Sequence, residues 1–397
     1  MEQLPSCDEL PSIPGLPDPL VLRNGRRVAT KEEWFSLRVP ELRTLFQHYM
    51  YGYFPPPPET ISSRILFEDA CFLGGSATLK EVEIRFHPAA PCLRLLIGVP
   101  HKRQKDGCPV FVGPNFGGNH AEVPHPAVAL PDVWMRSDIP GVVDHRATDA
   151  GRGKHPRFFF EKVIARGYAV ATFYHGDLDP DKDDFTDGVH PHFAQRKERG
   201  PHDWGAIAAW AYGVMRAVDC LVTDPAVNPK RIAAVGHSRL GKTVLLAAAF
   251  DERISLVIPH QAGMGGSAPS RGTVGESVRQ INDRFPHWFC GEFKRFNQHP
   301  EKLPFDQHCL VGLCAPRPVL FSNATEDTWA NPAGQFDVLR AAVPVYELCG
   351  VSGIEAQKMP EPGTLISSRL GYFLRTGTHS MTPADWDAFL SFADRWL

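Results

Sequence analysis

The chain has 397 residues, room for one large α/β domain or two ordinary ones. Its 43% hydrophobic and 22% charged residues are the balance of a globular protein and exclude a disordered one. A net charge of -3 without a Lys/Arg block argues against nucleic acid, and no run of about 18 apolar residues offers a membrane span.

The N-terminus, MEQLPSCDELPSIPGLPDPL, has neither a basic n-region nor an apolar h-region. Either the protein stays inside the cell or its leader has been removed. Residues 1–60 are proline-rich and close on Pro55 to Pro58. They read as an arm packed on or extending from the body, with one short helical piece near 31–51. From residue 62 to 100, "SSRILFEDA", "TLKEVEIRFH" and "CLRLLIGVP" are partly alternating runs with no helix-length segment between them, the pattern of antiparallel strands. Short apolar runs then alternate with helix-length segments. The buried strands are expected at 109–113, 168–174, 231–235, 256–259 and 318–322, and the helices at 203–223 and 242–250. This order predicts a mostly parallel sheet with helices on both faces. No repeat or linker divides the chain, so 1–397 is read as one α/β domain. Nine cysteines without a C-x-x-C pair point to small buried hydrophobes, neither a zinc ribbon nor a fully paired disulfide framework.

Ser238 stands between the strand at 231–235 and an Ala/Leu-rich helix, with Gly236 before it and Gly241 after it. A serine at a strand–helix junction is by itself often an N-cap. It also matches a nucleophile elbow, where a tight turn lifts a hydroxyl above the carboxyl edge of a sheet. The match to G-x-S-x-G is imperfect, because Leu240 takes the place of the second glycine. A hydrolase of this build needs an acid and then a histidine later in the chain. "PRPVLFSNATEDTWANPAG" supplies a strand followed by Glu326-Asp327, and Asp327 is the candidate acid. "LGYFLRTGTHSMTPADW" puts His379 between a short strand and a helix that opens on Thr382-Pro383 as N-cap and first position. The chemistry demands these types. A serine hydroxyl is a weak nucleophile until an imidazole takes its proton, and a carboxylate fixes the imidazole's tautomer.

The sequence GHSRLGK at 236–242 resembles the G-C-S-R-x-G-K signature of the glucuronoyl esterases, carbohydrate esterase family 15. "NFGGNH" at 115–120, "HDWGAIAAWAYG" at 202–213, "GESVRQINDRFPHWFCGEF" at 275–293, "LPFDQHCLVGLCAPRPV" at 303–319 and "DTWANPAGQF" at 327–336 resemble its bacterial members. The likeness runs from about residue 90 to the C-terminus. It implies an α/β-hydrolase fold and a serine esterase that cleaves (4-O-methyl-)glucuronic acid esters, as in glucuronoxylan–lignin linkages, through an acyl-enzyme. By motif position, Ser238 is the nucleophile, His379 the base, and Arg239 a group binding the oxyanion. Lys242, Glu276 and Trp329 hold the sugar. The implied partner is a uronate ester or glucuronoxylan, with no cofactor, metal, nucleic acid or membrane. The implied address is secreted or periplasmic, and a monomer is expected.

Two positions depart from the fungal pattern. Many relatives carry the triad acid as a glutamate where this chain has Gln261, so the acid must come from Asp327. Fungal members also join a cysteine just before the serine to one just after the histidine, and here those positions are His237 and Ser380. Arg239 and Lys242 raise their own question, since cations in a first helical turn oppose the helix dipole at about 0.3–1 kcal/mol each. An oxyanion formed at that helix start would reverse the sign. The 115–120 loop follows a strand, where such folds supply a second oxyanion N–H, or it is a plain turn. Trp329 could be core or a wall for a pyranose, and Glu276 could be an ordinary helix-start acid. The aspartate-rich segment 175–188 is read as an acidic surface loop near the site, not a calcium loop, because Lys182 stands where an EF-hand needs glycine. Trp288 and His287 are assigned mostly to packing. Two alternatives remain: a carbohydrate deacetylase such as an acetylxylan esterase, and a non-catalytic carbohydrate-binding relative.

Overall fold

The computed structural model describes residues 4–194 and 198–397. After a single 3-10 turn at Cys7–Glu9 the chain forms a helical stretch over 31–51, capped by the Thr30 side chain and alternating α and π turns. It then lays down β1 (Ser62–Cys71), β2 (Ala77–Arg85), β3 (Leu93–Pro100), β4 (Cys108–Asn115) and β5 (Ala169–Tyr174). There follow α1 (Ala206–Leu221), β6 (Val227–His237), α2 (Arg239–Phe250), β7 (Leu256–His260) and β8 (Val319–Ala324). The last elements are α3 (Pro332–Leu348), β9 (Leu365–Ile366), β10 (Leu370–Arg375) and α4 (Pro383–Trp396).

The ten strands form one sheet in the order β1-β2-β3-β5-β4-β6-β7-β8-β10-β9. The pairs β5/β4, β4/β6, β6/β7, β7/β8 and β8/β10 are parallel. Within this sheet the antiparallel pairs are β1/β2, β2/β3, β3/β5 and β9/β10. The expected antiparallel opening and parallel centre are therefore both present. The central strands carry short apolar runs because those stretches bury both faces. Val110, Ala171, Ala234 and Phe321 join the core beneath α1, α2 and α3, while Phe111, Val170, Ala233 and Leu320 face α4 and the helix Phe160–Ala165.

The N-terminal helical piece lies where it is expected, over 31–51. Trp34, Leu42, Leu45, Phe46, Tyr49, Met50 and Tyr51 are fully buried, and the Tyr51 hydroxyl donates to the Gly265 carbonyl. A proline-rich composition signals an extended arm, but these large apolar side chains recur at helical spacing and pack into the core. All parallel strands deliver their C-terminal ends to one edge of the sheet, and loops there are where an open α/β sheet places its chemistry.

Candidate active site

Ser238 follows β6 directly and caps α2, with φ 58° and ψ −125°. A non-glycine residue at positive φ is strained at a cost of order 1–3 kcal/mol, and the surrounding contacts must hold it there. They do: the Ser238 N–H donates to the His260 carbonyl at 2.9 Å, while its own carbonyl accepts from the Gly241 and Lys242 N–H groups. A Cβ on Gly236 would lie 2.2 Å from the Leu240 carbonyl oxygen, and one on Gly241 would lie 3.0 Å from the Ala262 Cβ and the His260 carbonyl oxygen. The close backbone approach thus falls at 241, and Leu240 is free to bury its side chain completely. That is why the second glycine comes one residue late.

His379 and Asp327 sit on the loops after β10 and β8, which are adjacent parallel strands. Those loops run side by side, with Thr325 N–H on the Arg375 carbonyl and Glu326 N–H on the Gly377 carbonyl. His379 Nδ1 lies 2.7 Å from Asp327 Oδ2. An ionised carboxylate only accepts, so Nδ1 donates and Nε2 is left as the unprotonated ring nitrogen. Of the two neighbouring carboxylates, Asp327 is buried and paired, whereas Glu326 is exposed to solvent. The His379 ring is 4.6 Å from that of His237, the residue just before Ser238. Burial, reinforced by His260 and His379, pushes the His237 imidazole well below its ordinary range, so a neutral ring lies against His379.

The His379 loop is clasped without a disulfide. Arg375 donates to the Thr378 carbonyl at 2.8 Å, to the Ser380 carbonyl at 2.6 Å and to Ser380 Oγ at 2.8 Å. Asp385 accepts from Arg375 Nε and also from the N–H and hydroxyl of Thr382, which caps α4 as expected. His260 Nε2 lies 3.0 Å from the Ser380 carbonyl oxygen. Gln261, itself at φ 48°, accepts the Ser380 N–H on Oε1 at 2.9 Å.

The two cations of α2 have different partners. Arg239 forms an ion pair with Asp181, and its guanidinium carbon is 5.0 Å from the Trp288 ring centre and 5.6 Å from that of Phe116. Phe116 belongs to the 115–120 loop, so that loop does flank the elbow. Lys242 is buried and donates to the Ala262 and Met264 carbonyls at 2.5 and 2.6 Å, which leaves one N–H. Burial lowers its ammonium to about 8, and the Glu276 carboxylate opposes that shift. The Glu276 N–H donates to the Trp329 carbonyl at 3.0 Å, and the Trp329 side chain is 47% exposed, a large apolar surface open to solvent. Glu276 precedes the Ser277 N-cap and is not in the first helical turn.

The acidic segment corrects the sequence reading. Asp177, Asp179 and Asp181 are buried, not part of a solvated surface loop. Asp181 Oδ1 accepts from His287 Nε2 at 2.9 Å and Trp288 Nε1 at 2.8 Å, while Oδ2 meets Arg239. Burial pushes its carboxyl up, but these donors outweigh that and hold it well below the usual carboxylate range. His287 and Trp288, assigned to packing, are therefore the polar support of the Arg239 pair. A local composition count could not find this, because the partners lie on segments far apart in sequence. Among the described residues, no group of three or more His, Cys, Asp or Glu side chains is placed to hold a metal.

A sequence profile of fungal glucuronyl esterases matches residues 159–350. A carbohydrate esterase of an unknown prokaryotic organism is 43% identical over 388 residues, covering 96% of this chain and 89% of that protein. The 4-O-methyl-glucuronoyl methylesterase of Phanerochaete carnosa is 30% identical over 85% of this chain and 72% of its own length. Among solved structures, a promiscuous family 15 esterase from a marine bacterial metagenome superposes with a TM-score of 0.90 at 41% identity, covering 99% of both chains. A glucuronoyl esterase from Solibacter usitatus does so at 0.88 and 36%, covering 98% of this chain and 99% of that one. This chain, with its α/β-hydrolase sheet and serine elbow, belongs to the glucuronoyl esterases of carbohydrate esterase family 15.

Proposed function

We propose that the protein hydrolyses esters of (4-O-methyl-)glucuronic acid, with Ser238 as nucleophile, His379 as general base and Asp327 as the acid that orients it. The observation that carries this reading is the 2.7 Å contact between His379 Nδ1 and Asp327 Oδ2, beside a serine strained into an elbow. It presents an imidazole of defined tautomer at the same edge of the parallel sheet as a hydroxyl lifted from the end of a strand.

The steps follow from that arrangement. His379 Nε2 takes the proton of Ser238 Oγ as the oxygen bonds to the ester carbon. The carbonyl oxygen becomes an oxyanion at the start of α2, where the Arg239 N–H has no intrahelical acceptor and the guanidinium adds positive charge. Collapse breaks the bond to the alcohol, which leaves with the proton from His379. Water then repeats the sequence on the acyl-serine, releasing the uronic acid and restoring both side chains. The remaining N–H of Lys242, the Glu276 carboxylate and the exposed Trp329 face supply donor, acceptor and apolar wall for the sugar hydroxyls and ring. An acetyl group would have no use for these three.

A second reading, hydrolysis of acetyl esters on carbohydrate, draws on the marine relative being described as promiscuous. The two separate on paired substrates. Values of kcat/KM for benzyl or methyl glucuronate are expected to exceed that for 4-nitrophenyl acetate by at least about tenfold, a margin of ~1.4 kcal/mol in transition-state binding. A clear preference for the acetate would overturn the uronate assignment while leaving the serine mechanism intact.

A further inference from the structure

We propose that Gln261 is a positioning residue for His379, holding both peptide groups that flank the imidazole. Its Oε1 accepts the Ser380 N–H at 2.9 Å and its Nε2 approaches the Thr378 carbonyl at 3.5 Å. Ser380 N belongs to the peptide after His379, and Thr378 O to the peptide before it. One side-chain amide therefore pairs with the histidine's backbone as a neighbouring strand would, acceptor to donor and donor to acceptor.

Three further observations support an assigned place and not incidental packing. Gln261 is 1% exposed. Its backbone is held at φ 48°, a conformation that side chains other than glycine adopt at a cost, and its N–H is fixed on the Ser322 carbonyl at 2.8 Å. It also follows His260, whose carbonyl anchors the Ser238 N–H and whose ring meets the Ser380 carbonyl. The turn at 260–261 therefore ties the nucleophile's backbone to the base's backbone. The other charged or titratable groups around this loop are Asp327, His237, His260, Arg157, Arg375 and Asp385, and none of them touches the peptide N–H that Gln261 accepts.

The inference rests on His379 being the base, so Ser238→Ala is measured alongside. Gln261→Met keeps the volume and removes both polar ends. It is expected to lower kcat by about 10- to 100-fold with KM within about twofold of the parent, because a misplacement of about 1 Å at a catalytic group costs up to ~10². The far-downfield proton resonance of His379 Nδ1 should broaden in the same variant. Gln261→Glu still offers an oxygen to the Ser380 N–H and should recover most of the lost kcat, whereas Gln261→Asn, one carbon short, should not. A folded Gln261→Met enzyme with kcat within twofold of the parent overturns the inference, as does a loss confined to KM or to Tm. Should Gln261→Met fail to fold, the Glu and Asn variants decide: equal activity of those two also overturns it. An active Ser238→Ala enzyme would instead remove the reading of the site on which the inference stands.

Discussion

Ser238→Ala is expected to lower kcat on benzyl glucuronate by roughly 10⁴- to 10⁶-fold, with KM changed little, because the covalent route is lost while the sugar contacts remain. The elbow explains the size. Ser238, at φ 58°, stands at the sheet edge and the helix start, next in the chain to His237, whose ring lies 4.6 Å from that of His379. His379→Ala should fall by a similar factor, since a serine without its base is scarcely ionised. The double variant should be little worse than either single one, as groups that act as a unit do not add. Asp327→Ala should cost less than either, for it leaves both reacting groups in place and removes only the carboxylate fixing the tautomer. Steady-state rates of the four variants check the set. A Ser238→Ala enzyme with parental kcat would refute it.

Arg239→Ala carries the second large effect, a fall in kcat of about 10²- to 10³-fold against a small change in KM. The substrate carbonyl is neutral when bound and negative at the transition state, so a guanidinium at the helix start is felt mainly during reaction. A competing explanation must be separated, since removing one partner of a buried ion pair destabilises a protein by about 3–5 kcal/mol. Asp181 would be left charged against His287 and Trp288. Arg239→Ala combined with Asp181→Asn removes that uncompensated charge and is expected to regain Tm while kcat stays low. If kcat returned with Tm, Arg239 would be a structural residue.

Much of the fold could be read beforehand because parallel strands buried on both faces are written as continuous apolar runs. The run at 109–113 lies within β4 and that at 256–259 within β7. The elbow was legible for a similar reason, since Gly236 marks a backbone approach that no Cβ fits and Gly241 one where a Cβ would crowd its neighbours at 3.0 Å. Asp327 and His379 followed from chain order and from their loops, and their contact joins residues 52 apart. What local reading missed has one physical cause. Asp181 reads as a solvated charge until its partners arrive from residues 239, 287 and 288. Gln261 reads as a lost acid until the Ser380 N–H is seen on its oxygen. The helical stretch at 31–51 was legible from the sequence, but the proline-rich residues around it gave no sign that Trp34 and Tyr51 are wholly buried.

Covalent labelling tests most directly whether Ser238 is the nucleophile. A fluorophosphonate added to the parent enzyme should attach one equivalent to Ser238, located by peptide mass spectrometry, with activity lost in proportion. Labelling should be slowed by orders of magnitude in His379→Ala and absent in Ser238→Ala. Attachment at a different residue with the same loss of activity, or full turnover of benzyl glucuronate by an enzyme already labelled at Ser238, would contradict it.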